Sequence, residues 1–250
     1  MVTKIERWFG PAKENRTIHL YLPDDYDRSD ERYPVVYMFD GHNLYYDSEA
    51  TFGKSLGMKE FLDGWGKKFI VVGIACAADE LQRVHEYCPF DIRSFMYGDI
   101  KGRGEATAEW IVKELKPWVD QNYRTWPFRE ATAIGGYSMG GMMCLYTVLR
   151  YNAWFSKAAV ISPALAPSMQ AFEKEIAAST LDPDTRIFFS WGTAEGSPES
   201  VQQQEQRILK LERLVQAKGA GTYLMCQEGG DHNEASWEHQ LPVWMTYLWN

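Results

Sequence analysis

The sequence predicts an α/β fold, and three observations carry that prediction. Short apolar runs of strand length alternate with longer segments whose apolar residues recur at helical spacing. One stretch, Ala131 to Arg150 (ATAIGGYSMGGMMCLYTVLR), holds a buried strand, a glycine-dense turn and an apolar helix in immediate succession. The 250 residues contain no internal repeat, long linker or low-complexity tract, so residues 1–250 are expected to form a single domain around one large core.

Composition narrows the partners. The net charge is −8, and Lys and Arg form no long block, which argues against a nucleic-acid partner. The N-terminus MVTKIERWFG lacks an apolar signal region, and no later run is long enough to span a bilayer. No membrane role is therefore expected, and a cytoplasmic location is, unless a leader has been removed. Cys76, Cys88, Cys144 and Cys226 lie far apart without a C-x-x-C, which suits a reducing compartment. Cys76, Cys144 and Cys226 adjoin apolar runs and read as buried thiols. Neither H-E-x-x-H nor a phosphate-binding glycine motif is present, so no metal or cofactor is expected.

In chain order, Val2 to Phe9 reads as an edge strand, although its pattern is mixed. Arg16 to Leu22 alternates Ile18, Leu20 and Leu22 with His19 and Tyr21, a half-buried strand that Pro23 stops. His19 is assigned to strand surface or packing. Val35 to Phe39 is continuously apolar, as in a central strand. Gly57 to Gly66 predicts a short helix with Met58, Phe61, Leu62 and Trp65 on one face, and Phe69 to Ala75 the next strand. Segment 77–104 is expected to be irregular, because Pro89 and several glycines oppose a long element. A loop that long is assigned to a wall or lid of the site.

Glu105 to Tyr123 predicts a helix, kinked or broken near Lys116 by Pro117. Lys157 to Ile161 is a short strand with Ser162-Pro163-Ala164 at its end, bordering the cleft. Met169 to Ala178 is a helix, and segment 163–184 is a candidate cleft wall or small cap. Thr185 to Ser190 is a strand and Glu199 to Lys218 a long helix capped by Gly219. Gly221 to Cys226 is the last strand. Trp237 to Trp249 closes the chain as a helix kinked or restarted at Pro242.

The chemistry centres on Gly136-Tyr-Ser-Met-Gly140, a G-x-S-x-G between strand and helix. Such a turn exposes its serine at a sharp apex, and flanking side chains would collide with strand and helix. It also aims the first helix amides at an anion developing beside Ser138. A serine nucleophile needs a base and a group that orients the base. His232 follows the last strand in a glycine-containing loop and is the preferred base. Glu195 lies just past the 185–190 strand and is the preferred acid. Asp182 and Asp184 precede that strand, at the wrong sheet edge, while Glu228 and Asp231 stand too near His232 in sequence. The loop from Asp40 to Asp47 leaves the C-terminal end of a central strand, where open sheets bind ligands. Gly41 permits close backbone approach, which makes the His42 amide the second oxyanion donor. Asn43, Leu44, Tyr137, Arg83, Glu86, Tyr87 and Trp191 are substrate-cleft candidates; Arg83, His85, Glu86 and Tyr87 fit a loop-holding ion-pair cluster equally well.

These residues resemble the esterase family of α/β-hydrolases that includes enterochelin and other siderophore esterases, feruloyl and acetyl-xylan esterases, and mycolyltransferases. The resemblance covers nearly the whole chain. It rests on Leu20-Tyr-Leu-Pro23, Asp40-Gly-His-Asn-Leu44, Glu114-Leu-Lys-Pro117 with Tyr123-Arg124, Gly136-Tyr-Ser-Met-Gly-Gly141, Ser162-Pro163, Gly192-Thr-Ala-Glu195 and Gly230-Asp-His232. It implies an α/β-hydrolase fold: a mostly parallel central sheet with antiparallel N-terminal strand(s) and helices on both faces. It also implies Ser138 as nucleophile, Glu195 as acid, His232 as base, and the amides of Met139 and His42 as oxyanion donors. Relatives often carry Gln where this chain has His42, a change that keeps the backbone donor.

The expected activity is hydrolysis of a small ester, such as an acylated sugar, a feruloyl or acetyl ester, or a siderophore-like ester, through an acyl-enzyme without a cofactor. The same groups also suit an acyltransferase, a thioesterase or a peptidase; a noncatalytic binding protein on this scaffold is the reading from another class. A monomer or a small homo-oligomer fits the sequence.

Overall fold

The computed structural model describes residues 1–94 and 97–250. The chain begins with an antiparallel hairpin, β1 (Val2–Phe9) and β2 (Glu14–Tyr21). β3 (Val35–Phe39) follows, then α1 (Met58–Gly64), β4 (Ile70–Ile74) and α2 (Glu80–Tyr87). A small hairpin, β5 (Ile92–Ser94) with β6 (Gly98–Ile100), leads to α3 (Gly104–Trp110) and α4 (Lys116–Asn122). Next come β7 (Thr132–Tyr137), α5 (Met139–Arg150), β8 (Lys157–Ile161), α6 (Met169–Ala178) and β9 (Arg186–Gly192). α7 (Pro198–Gln216), β10 (Gly221–Gln227), α8 (Glu234–Glu238) and α9 (Leu241–Trp249) complete the chain.

Eight strands form one sheet in the order β1-β2-β4-β3-β7-β8-β9-β10. β2 runs antiparallel to β4, and from β4 to β10 every pairing is parallel. The continuous apolar strands explain why both faces are covered. Alternate residues point to opposite faces. Tyr37, Ile134, Val160 and Phe189 join one core with α5 and α7, while Val36, Ala133, Ile161 and Phe188 join a second core with α1 and α9. The consequence for function lies at one edge. β3, β7, β8, β9 and β10 are neighbours, and their C-terminal ends release five loops side by side.

Two expectations need correction. Segment 77–104 is not wholly irregular: α2 forms within it, started by Asp79, whose side chain accepts from the Gln82 amide at 2.9 Å. A helix of only eight residues leaves a short periodic trace in the sequence, and Pro89 then ends it from outside. Residues 95 and 96 of that segment lie outside the described residues. The helix expected over 105–123 is interrupted up to Lys116, as Pro117 predicts, but by a change of helix type and not by an open break. A π-helical stretch, Ile111–Leu115, joins α3 to α4, and Pro117 falls in the first turn of α4, where its missing N–H matters least. The restart expected at Pro242 is present: α9 begins at Leu241 with Pro242 in its first turn. Second, Cys226 is exposed because β10 is the sheet edge; Cys88 and Cys144 are the buried thiols, and Cys76 is half-buried.

His19 is buried in β2, opposite Gly73 of β4, and its Nδ1 makes no hydrogen bond among the described residues. Burial pushes its pKa down to about 4, helped by Lys4 and His42 and opposed by Glu49 and Glu6. Between about 4 and 6.5 the unfolded chain therefore binds more protons than the native one, and stability rises with pH across that window. The contribution is full above pH 6.5 and is lost on acidification. Urea melts of the wild type and His19→Gln should diverge below pH 6.5, the variant losing on the order of 1–3 kcal/mol less between pH 7 and 4.5. Parallel pH dependences in the two proteins contradict this account.

Candidate active site

Ser138 closes β7 and opens α5 with φ 57° and ψ −123°. A non-glycine residue in that region is strained, and the surroundings hold it there. Its amide donates to the Ile161 carbonyl at 3.1 Å, and its carbonyl accepts from Met142 and Ala164 at 3.1 and 3.0 Å. The glycines are sterically required. A Cβ on Gly136 would lie 2.8 Å from the Gly140 backbone, and one on Gly141 would lie 2.7 Å from the Ile161 carbonyl oxygen. At the head of α5 the amides of Met139, Gly140 and Gly141 have no acceptor within the helix.

Glu195 and His232 come from the loops after β9 and β10. His232 Nδ1 lies 3.1 Å from Glu195 Oε2. A carboxylate only accepts, so Nδ1 carries the proton and Nε2 keeps its lone pair. The other carboxylate oxygen, Oε1, accepts from the Gly192 amide at 2.8 Å and from the Ser162 hydroxyl at 2.5 Å. Trp237 Nε1 in turn donates to Ser162 Oγ at 3.0 Å. The Trp237 ring packs edge-on against the His232 ring, centroids 5.0 Å apart, and stacks on Tyr137. The two loops meet because Gly192 has no side chain: a Cβ there would sit 2.1 Å from the Gly230 carbonyl oxygen. Ala194 donates to that same oxygen at 2.8 Å.

The loop after β3 is set by a buried ion pair. Asp40 is in the left-handed region (φ 57°) and 1 % exposed. Arg83 of α2 grips it with two bonds, Nε to Oδ1 at 2.8 Å and Nη2 to Oδ2 at 2.7 Å. Burial pushes the Asp40 carboxyl up, yet the Arg83 guanidinium outweighs burial and holds it below the ordinary range. Tyr87 Oη accepts from the Asp40 amide at 3.1 Å. The next turn, Gly41–Asn43, packs so tightly that a Gly41 Cβ would fall 2.4 Å from the Gly73 backbone. His42 follows in that turn, its Nε2 3.0 Å from Thr51 Oγ1, and burial lowers its pKa. Asn43 Oδ1 accepts from Thr51, and Nδ2 donates to buried Glu234.

A cavity of about 280 Å³ opens beside Ser138, lined by Glu195, His232, the stretch from Ser162 to Pro167 and one face of α7. Ser138, Glu195 and His232, distant in sequence, thus border one cleft. No hydrogen bond joins Ser138 to His232 among the described residues; such contacts in free enzymes often tighten only around substrate. Pro163 to Pro167 line this cleft. Asn43, Leu44, Tyr137, Arg83, Glu86, Tyr87 and Trp191 do not border it. Glu86 is buried against Arg16, with bonds of 3.0 and 2.8 Å, and Arg83 and Tyr87 hold Asp40. Leu44, Tyr137 and Trp191 are core. Sequence reasoning missed the roles of Ser162 and Trp237 around Glu195 and the contribution of Gln204 and Arg207. The spacing of Ser200, Val201, Gln204 and Arg207, one helical face, was the available signal for α7.

A mostly parallel sheet with a strained serine elbow, an imidazole–carboxylate pair and a shared cleft defines a serine-hydrolase-like esterase of the α/β-hydrolase fold. The chain belongs to the esterase family: the family model described as "Putative esterase" matches residues 11–248. It is 26% identical over 204 residues to the uncharacterized protein YbbA of Bacillus subtilis, covering 80% of this chain and 76% of that one. It is 28% identical over 147 residues to Esterase Rv1288 of Mycobacterium tuberculosis, a match to 58% of this chain and only 28% of that protein. Among solved structures, an IroE-like serine hydrolase from Shewanella oneidensis superposes with a TM-score of 0.79 at 20% identity, over 98% of this chain and 79% of that one. No helix among the described residues is long and apolar enough to cross a membrane.

Removing Arg83 leaves the Asp40 carboxylate buried and unpaired. Arg83→Ala should destabilise the protein by about 3–5 kcal/mol in urea denaturation, and Asp40→Asn in that background should recover part of the loss. Additive effects of the two substitutions contradict the pairing.

Proposed function

We propose that this esterase hydrolyses small carboxylic esters through an acyl-enzyme, with Ser138 as nucleophile, His232 as base and acid, and Glu195 orienting the imidazole. The observation that carries this is the 3.1 Å contact between His232 Nδ1 and Glu195 Oε2, which leaves Nε2 as the free base beside the cleft that Ser138 borders. His232 takes the Ser138 proton as the hydroxyl oxygen attacks the ester carbonyl. The amides of Met139 and His42 hold the oxyanion of the tetrahedral intermediate. Collapse breaks the ester bond, and the alcohol leaves with the proton from His232. Water then attacks the acyl-Ser138, giving its proton to His232, which returns it to Ser138 as the acid departs.

Ser162 and the Gly192 amide act through Glu195, fixing the carboxylate so that Oε2 faces the imidazole. The His232 side chain is 42% exposed, so water can reach the acyl-enzyme. The wall from Pro163 to Pro167, with Val201 opposite, suits an apolar acyl or alcohol group of modest size.

Hydrolysis of p-nitrophenyl esters of increasing chain length tests the assignment. Ser138→Ala should lose at least about 10³-fold in kcat and should no longer be labelled by a fluorophosphonate. Glu195→Gln should retain labelling but slow it, with kcat down by about 10²–10⁴-fold. Equal rates for wild type and Ser138→Ala exclude the assignment. Ser162→Ala should lower kcat with little change in KM and shift the acid limb of the pH–rate profile; an unaltered kcat and profile deny Ser162 a positioning role.

A further inference from the structure

The cleft that borders Ser138 continues along α7. Ser200, Val201, Gln204 and Arg207 line it, while Ile208, Leu211 and Val215 of the same helix turn into the core. Gln204 Nε2 donates to the Pro163 carbonyl at 2.5 Å and ties this helical face to the opposite wall. Arg207 stands one turn further on. Long side chains on a helix point back toward its N-terminus, and here that direction leads to the Glu195 end of the cleft. Among the described residues lining the cleft, Arg207 and Glu195 carry the permanent charges, and Glu195 is engaged by His232, Ser162 and Gly192. Arg207 has no ion-pair partner among the described residues; its guanidinium donates only to the neutral Gln203 amide oxygen, at 3.2 Å. Lys210, one turn later and outside the cleft, is instead paired with Glu173 at 2.7 Å.

We propose that Arg207 is a specificity-determining residue that binds an acidic group on the substrate, so that the preferred esters carry a carboxylate separated from the scissile bond by a short apolar spacer. The spacer would lie against Leu165 and Val201. A guanidinium presents a planar fork that matches a carboxylate, and a partly enclosed site strengthens the pair relative to open water. This inference rests on the esterase reading above and adds the chemical class of substrate.

Two series of esters test it, one with the acid on the acyl side (p-nitrophenyl half-esters of dicarboxylic acids of increasing length) and one with it on the alcohol side (butyrate esters of ω-hydroxy acids). Each is compared with its neutral analogue of equal length. Wild type should prefer the acidic member of at least one series, with a length optimum and a preference that shrinks as salt is added. Arg207→Ala should reduce the acidic-to-neutral ratio of kcat/KM by about ten- to hundredfold, Arg207→Lys by less, and Arg207→Glu should shift preference toward amine-bearing esters. Circular dichroism and melting temperature confirm that each variant is folded. A wild type without acid preference in both series, or a ratio unmoved in Arg207→Ala, overturns the inference while leaving the esterase assignment intact. No turnover of any ester, with Ser138 unlabelled by a fluorophosphonate, removes both together.

Discussion

The left-handed turn at Ser138 depends on backbone atoms lying closer than side chains permit. Gly136 and Gly140 let strand and helix meet, and Gly141 lets the head of α5 settle on the end of β8. Within that frame Ser138 is pinned at both ends of its peptide unit, by Ile161 on one side and by Met142 and Ala164 on the other. The strain at a residue with a Cβ is thus held by three backbone hydrogen bonds and a packed helix. The same arrangement leaves helix amides free beside the serine, where an anion gains most from them.

The neighbouring loops obey the same economy of space. Gly192 against Gly230 brings the acid loop onto the histidine loop, and Gly41 against Gly73 seats the turn that carries His42. Each contact is a place where backbone touches backbone, so each loop is fixed by a packed interface. Charge completes the frame. Asp40 is buried at the root of one loop and is held by Arg83; Glu86, on the same helix, holds Arg16 of β2. One short helix, α2, therefore holds both β2 and the loop after β3, which is why a segment that reads as a lid in sequence is structural at its centre.

Much of this was legible in the chain. Apolar runs such as Val35–Phe39 and Lys157–Ile161 are buried on both faces, so their sequence carries a strong strand signal. Ser138, Glu195 and His232 were legible because the order strand, loop, polar residue places each at one sheet edge. The substrate-cleft residues were not. Leu44, Tyr137 and Trp191 lie close in sequence to Asn43, Ser138 and Gly192 but point into the cores, Tyr137 and Trp191 by alternation along their strands and Leu44 from the end of the turn after β3. The prolines, by contrast, were legible: the α-helix over 105–123 is interrupted just ahead of Pro117, and the last helix restarts beside Pro242.

By itself the sequence determined the α/β class, the strand positions, the elbow and the residues at its C-terminal edge. Those features follow from short-range pattern: burial periodicity, glycine at steric pinch points, and punctuation by proline. Only the tertiary structure decided which wall the cleft has, that Ser162 and Trp237 brace Glu195, that Arg83 serves Asp40, and that Arg207 faces the cleft without an acidic partner among the described residues. Those are relations between residues tens of positions apart on separate elements. They are set by how helices dock on the two faces of the sheet, and no local pattern records them.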